Sequence, residues 1–277
     1  MLHAVHTSKC TSTTEDMAAE GDKFVYDPER NYDDATMAQI RVMENEIASQ
    51  NNIVSERFSL QNLMDEYADA DDAFRLKIKD LESRYHYMRR TRGDGNCFYR
   101  AFGFACLEKF LTDLKNLPRF KEVALKSRDD LVSLGFPQFT IEDFHESFMD
   151  VIEKVEKQCS VTELSDIFNN QGLSDYIVVY LRLLVSGYLQ KEADFFANFI
   201  EGERTVKEFC NQEVEPMGKE SDHIHIIALT STLGIPVRVE YMDRVDSDKC
   251  TQHNFPEDSQ PSIVLLYRPG HYDILYS

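Results

Sequence analysis

The chain has 277 residues, and 30 basic against 49 acidic side chains give it a formal net charge of −19. A field of that sign repels nucleic-acid phosphates and anionic lipid, so neither nucleic acid nor membrane is an expected partner, whereas a basic protein tail is. With 277 residues, 42% of them hydrophobic, the chain can bury the core of one large domain or of two small ones.

Residues 1–32 are rich in Ser, Thr, Asp and Glu and have little apolar periodicity, which predicts a disordered tail. The opening residues lack the apolar stretch of a signal peptide, and the six cysteines contain no CxxC pair. Reduced thiols and a cytoplasmic setting, extending to the nucleus, are the expectation. From Asp33 the pattern turns helical. Met37, Ile40 and Ile47 form a sparse stripe with Asp33 and Asp34 at capping positions, which predicts a helical arm over 33–50.

Leu60, Leu63, Met64 and Tyr67 fit one helical face, and Phe74, Ile78, Leu81, Tyr85 and Met88 continue at the same spacing. After a glycine turn, Phe98, Ala101, Phe102 and Ala105 share a face of a helix opening at Asn96 or Cys97. Helical patterns follow through Phe144, Phe148, Val151 and Val155, then over 173–190, 193–201, 205–212 and 221–234. The last is capped by Ser221 or Asp222 and closed by Gly234. The longest apolar run, 176–189, is broken by Arg182 and reads as too short to span a bilayer. PVRVEYM (236–242), SIVLLYR (262–268) and YDILYS (272–277) read as strands, the last two joined by a hairpin at RPGH. Helices followed by antiparallel strands predict an α+β domain over 51–277.

Chemistry concentrates at RTRGDGNCFYRAFG (90–103). A cysteine attacks as thiolate, and a helix N-terminus offers a positive dipole end and unpaired N–H groups to that anion. The glycines let the backbone turn sharply and gather donors for an oxyanion. The residues alone leave two readings open for Cys97, a nucleophile or a small buried hydrophobe. His271 and Asp273 are two apart on a predicted strand and point to one face. The spacing lets the carboxylate accept from the imidazole Nδ1–H and leave Nε2 for a thiol, although an isolated HxD is also an ordinary turn pair. The order Cys, His, Asp is a peptidase-like arrangement. His223 and His225 with Cys210 form a poor metal set, because two residues along a helix splay the rings by about 200°. No metal and no cofactor are expected. Arg89, Arg90 and Arg92 read as a solvated helix end, and Cys106 as core.

GDGNCFYRAFG (93–103) resembles the catalytic-cysteine motif of the ovarian-tumour (OTU) deubiquitinases, and the otubains, of the otubain-1 type, resemble it best. The likeness extends through IEDFHESFMD (141–150), SDYIVVYLRLLVSGYLQ (174–190), TVKEFCNQEVEPM (205–217), SDHIHIIAL (221–229), VEYMDR (239–244) and LLYRPGHYDILY (265–276). It begins near Tyr26. MAAEGD (17–22) is similar to an otubain start, so residues 1–16 read as an added leader. Gly93 stands where otubains can carry proline.

The resemblance implies a papain-like OTU fold, with a mixed or antiparallel C-terminal sheet flanked by helices and an N-terminal helical arm. It implies a cysteine isopeptidase that needs no cofactor and cleaves ubiquitin–lysine bonds, preferring chains joined through lysine forty-eight of ubiquitin. Cys97 would be the nucleophile, His271 the general base and Asp273 its orienter. Asp94 would belong to the active site, with the backbone of Asp94, Gly95 and Cys97 holding the oxyanion. The implied partners are ubiquitin, polyubiquitin and ubiquitin-conjugating enzymes, which otubain-1-type proteins also inhibit without catalysis. The chain is expected to act as a monomer. One ubiquitin would meet 195–201, 212–227 and 251–257, with Phe195, Phe199, Gln212, His223 and His225 as contacts, and a second would meet the arm. Thr140, within 136–144, would touch a partner.

Overall fold

The computed structural model describes residues 52–67, 72–243 and 247–277; the tail expected over 1–32 and the arm expected over 33–50 lie outside them. The elements run, in chain order, β1 (Phe58–Ser59), α1 (Asn62–Glu66), α2 (Asp72–Glu82), β2 (Tyr87–Arg89), α3 (Cys97–Thr112), α4 (Leu117–Ser133), α5 (Gln138–Glu156), α6 (Val161–Asn169) and α7 (Gln171–Lys191). The short helices α8 (Ala193–Phe196) and α9 (Val206–Phe209) follow, then α10 (His223–Leu233), β3 (Val237–Tyr241), β4 (Thr251–Phe255), β5 (Ile263–Arg268) and β6 (His271–Tyr276). The sheet order is β1-β2-β6-β5-β3-β4, antiparallel except for the parallel β3–β5 pair. Helices on a mixed sheet make the expected α+β class.

α3 is the core of the domain. Every residue from Cys97 to Glu108 is buried, as befits a helix apolar on all sides. Phe104 meets Phe168 of α6 edge-on at 5.3 Å between ring centroids, and Phe98 meets Tyr272 of β6 at the same distance. The second contact locks the start of α3 against the last strand. α7 packs beside α3. Its 21 residues are long and apolar enough to cross a membrane by length and composition, contrary to the expectation that this segment is too short, but 67% of its most apolar window is buried inside the domain. Asn170 caps it, its side chain accepting from Leu173 N–H at 3.1 Å. α10 is capped by Asp222 and closed by Gly234 in the left-handed region (φ 65°), as read from the sequence.

Four expectations need correction. Tyr85 and Met88 are not helical, because α2 stops at Glu82 and Tyr87–Arg89 pairs with β6. Both residues bury in a small second core with Leu63, Ile78, Leu81 and Leu275, so burial preserves their helix-like spacing without a helix. β1, β2 and β4 escaped the sequence reading: β1 and β2 are only two and three residues long, and β4 is a mostly exposed polar edge strand. Strands do not simply follow helices, since β1 and β2 precede α3. The arginine cluster is no solvated helix end: Arg89 lies buried on β2, donating to Glu108 Oε1 at 3.0 Å and to Ser55 O at 2.8 Å.

Candidate active site

Three elements converge on Cys97: the turn that opens α3, the first residues of β6, and the loop over 214–220. Within the turn, Asp94 N–H donates to Arg92 O (3.1 Å) and Asn96 N–H to Asp94 Oδ1 (3.0 Å). Gly95 sits at φ +75°, and a Cβ there would come within 2.0 Å of Gly218 O. Only glycine satisfies both the conformation and the crossing of the second loop. Asn96 precedes the helix but does not cap it. Its Oδ1 accepts instead from Gly218 N–H (2.9 Å) and from Arg182 Nη2 (2.8 Å). The first-turn N–H groups of α3 therefore have no side-chain acceptor, and the dipole end is open at Cys97.

Of the three backbone positions expected to hold an oxyanion, Asp94 has its N–H spent on Arg92 O. The Gly95 and Cys97 N–H groups donate to no acceptor among the described residues. The Asp94 carboxylate is itself held by Arg100, a fully buried arginine that also pairs with Asp175 Oδ1 at 2.8 Å.

His271 and Asp273 open β6 and share a face, as the spacing demanded. The ring is reversed from expectation: Nε2, not Nδ1, bonds Asp273 Oδ1, at 2.9 Å. Two residues of strand span about 6.7 Å, a distance the far nitrogen of the ring covers better than the near one. Nδ1 turns to the glycine turn, 3.5 Å from where a Cβ on Gly93 would stand. Burial alone would lower the imidazole pKa, but the hydrogen bond to Asp273 and contact with the Cys97 sulfur outweigh it and raise it to about 9. Asp273 is fully buried. Its Oδ1 also accepts from Thr91 N–H (3.0 Å) and its Oδ2 from Arg268 Nη2 (2.5 Å). Burial opposes its charge, yet His271, Arg268 and Thr91 hold it below the usual carboxylate range. Arg268 in turn pairs with Glu66 of α1 at 3.3 Å, and Glu66 with Arg90.

The other expected contacts are scattered. Thr140 is exposed in the first turn of α5, next to Phe139, which is 85% exposed. Phe195 and Phe199 are each 57% exposed, their rings 5.3 Å apart. Gln212 is exposed in a π-helical turn over 210–214. His223 stacks on Tyr241 at 5.3 Å and lines a cleft of about 490 Å³ with Gln252, His253 and Phe255. His225 cannot meet a partner. It is 2% exposed, and its Nδ1 accepts from Asp222 N–H (3.1 Å) in the capping box of α10. Arg100, Arg182, Arg268 and Thr91 were not singled out as site residues. A lone arginine inside an apolar helix was the one available signal, because a buried cation requires acceptors.

A thiol at the N-terminus of a buried helix, facing a histidine that a strand neighbour orients, on an α+β frame, defines a papain-like cysteine peptidase. Residues 46–277 match the Peptidase C65 Otubain family. The chain belongs to the otubain peptidases. It is 62% identical over 245 residues to Ubiquitin thioesterase OTUB1 of Homo sapiens, covering 88% of this chain and 90% of that one. It is 42% identical over 226 residues to human Ubiquitin thioesterase OTUB2, with 82% and 96% covered. Among solved structures, h/ceOTUB1 with ubiquitin aldehyde and UBC13~Ub superposes with a TM-score of 0.84 at 38% identity, covering 89% of this chain and 99% of that one.

Proposed function

We propose that this chain is a deubiquitinating isopeptidase that hydrolyses the bond between the C-terminus of one ubiquitin and a lysine of another, preferring lysine forty-eight linkages. Cys97 attacks the carbonyl carbon as thiolate. The oxyanion forms against the N–H groups of Gly95 and Cys97, His271 gives its proton to the departing lysine amine, and a thioester remains on Cys97. Water then attacks the thioester, His271 takes its proton, and the carboxyl-terminal ubiquitin leaves as Cys97 is restored. Asp273 keeps the ring oriented throughout. The observation that carries this reading is the 2.9 Å His271–Asp273 bond beside a cysteine at the first residue of a buried helix. Both human relatives are named ubiquitin thioesterases.

The test is cleavage of di-ubiquitins of every linkage by wild type and Cys97→Ala. Cleavage of the lysine forty-eight form, lost in the variant, is expected; full hydrolysis by the variant sinks the assignment of Cys97.

A second activity accompanies the first: binding of ubiquitin-conjugating enzymes to suppress chain synthesis without catalysis. The solved relative bound to UBC13~Ub and the exposed Phe139–Thr140 corner support it. Cys97→Ala should still block chain synthesis, and deleting residues 1–50 should release the block. Equal inhibition by the shortened protein removes the arm from the account. Subcellular fractionation should find the protein in the cytoplasm, with a nuclear share.

A further inference from the structure

Arg182 interrupts the most apolar stretch of the chain, and its side chain is fully buried in the middle of α7. Its guanidinium fans onto two loops. Nη1 donates to Val214 O at 2.9 Å, and Nη2 lies within reach of Gly95 O (2.9 Å), Asn96 Oδ1 (2.8 Å) and Lys219 O (2.7 Å). The planar group also lies 4.5 Å from the centroid of the Tyr99 ring, two residues after Cys97 on α3. All of these hydrogen-bond acceptors are neutral. Burial pulls the pKa of this arginine down, while Tyr99, Asp94 and Cys97 act to hold its charge. Asp94 is already the partner of Arg100. A buried cation with only neutral acceptors is costly unless negative charge gathers near it. The anions that form nearby during the reaction are the Cys97 thiolate and the oxyanion.

We propose that Arg182 is the positioning residue of the oxyanion turn. It holds the Gly95 carbonyl and the Asn96 side chain inward, which fixes the Gly95–Asn96 peptide that lies between the Gly95 and Cys97 N–H groups, and it welds the 214–219 loop to the same unit. Lysine cannot replace it, because a single ammonium lacks the planar fork that reaches acceptors on both loops at once. This assignment rests on Cys97 being the nucleophile.

The experiment compares wild type with Arg182→Lys and Arg182→Gln, with Cys97→Ala as control. The substrate is a fluorogenic C-terminal amide of ubiquitin. In parallel, the pH dependence of Cys97 alkylation by iodoacetamide is followed by mass spectrometry, which needs no ubiquitin. Both arginine variants should show a folded circular-dichroism spectrum, a kcat at least tenfold lower and a KM within twofold of wild type. Arg182→Gln, which also removes the charge, should raise the alkylation midpoint by half a pH unit or more. A folded variant with wild-type kcat and wild-type alkylation midpoint overturns the proposal. So does a kcat loss that merely tracks the unfolded fraction. Should neither variant fold, Asn96→Ala removes one acceptor of Arg182 and must lower kcat at constant KM; an unchanged kcat overturns the proposal equally. Inert wild type would refute the isopeptidase reading, and full activity of Cys97→Ala the nucleophile assignment, both separate from the alkylation midpoints.

Discussion

His271 and Asp273 stand two residues apart on one strand, and a single hydrogen bond joins them. The turn that presents Cys97 is shaped by Arg182 and Gly218, which contact it across 87 and 122 residues of chain. The His271–Asp273 pair is thus local in sequence, whereas the turn is assembled from distant segments. The His271–Asp273 bond itself needs only the strand to form, while Thr91 and Arg268 fix the carboxylate from outside it. The assembled half depends on several helices and loops arriving at once, so a small backbone change there should cost more than the loss of an orienting side chain.

The sharpest way to break this contrast is Gly95→Ala. A methyl group forced into a positive φ and against Gly218 O should destabilise the fold by about 2–4 kcal/mol and reduce kcat roughly a thousandfold. Thermal unfolding and steady-state kinetics read both, and a variant with wild-type stability and rate would show that the turn adapts freely.

Asp273→Asn should follow, with kcat down about a hundredfold, the lower end of what a positioned acid–base group contributes, since the amide can leave the imidazole in the wrong tautomer and removes the charge that supports its cation. Unchanged kcat would remove Asp273 from the mechanism.

The pH profile comes next. His271 must carry a proton to release the amine, so wild-type activity should fall along an alkaline limb centred near pH 9. In Asp273→Asn that limb should move to lower pH; a limb in the same place would dissociate His271 from it. The same raised value has a sign for stability: the contribution of the His271 contacts is fully present below the ordinary histidine range and is lost as pH rises through about 9.

The smallest effect belongs to the surface. Phe195→Ala should raise KM for di-ubiquitin several-fold and leave kcat alone, because an exposed ring can contribute binding without touching the reacting atoms. An unchanged KM would take this patch out of the substrate contact.

The same division governs what the sequence could reveal. The glycine turn, the helix it opens and the HxD pair were all legible, because each is a short pattern with its own backbone or periodic logic. Tyr85 and Met88 misled, since residues buried in the second core keep an apolar spacing that a helix would share. The ring orientation of His271 was misread because strand rise, not residue type, decides which nitrogen reaches Asp273. Arg182 was visible only as a flaw in an apolar run. Its acceptors lie on loops that no local pattern joins to it, so its hydrogen bonds exist only after the fold has closed.

The place of β6 in the sheet has a consequence for biosynthesis. β2, made early, pairs with β6 across 185 to 189 residues, and β5 flanks β6 on its other side. Until residues 271–276 leave the ribosome the sheet has a gap at its centre, and Cys97, synthesised long before, has neither His271 nor Asp273 beside it. Cys97 and the His271–Asp273 pair are therefore brought together only when the last strand takes its place between β2 and β5.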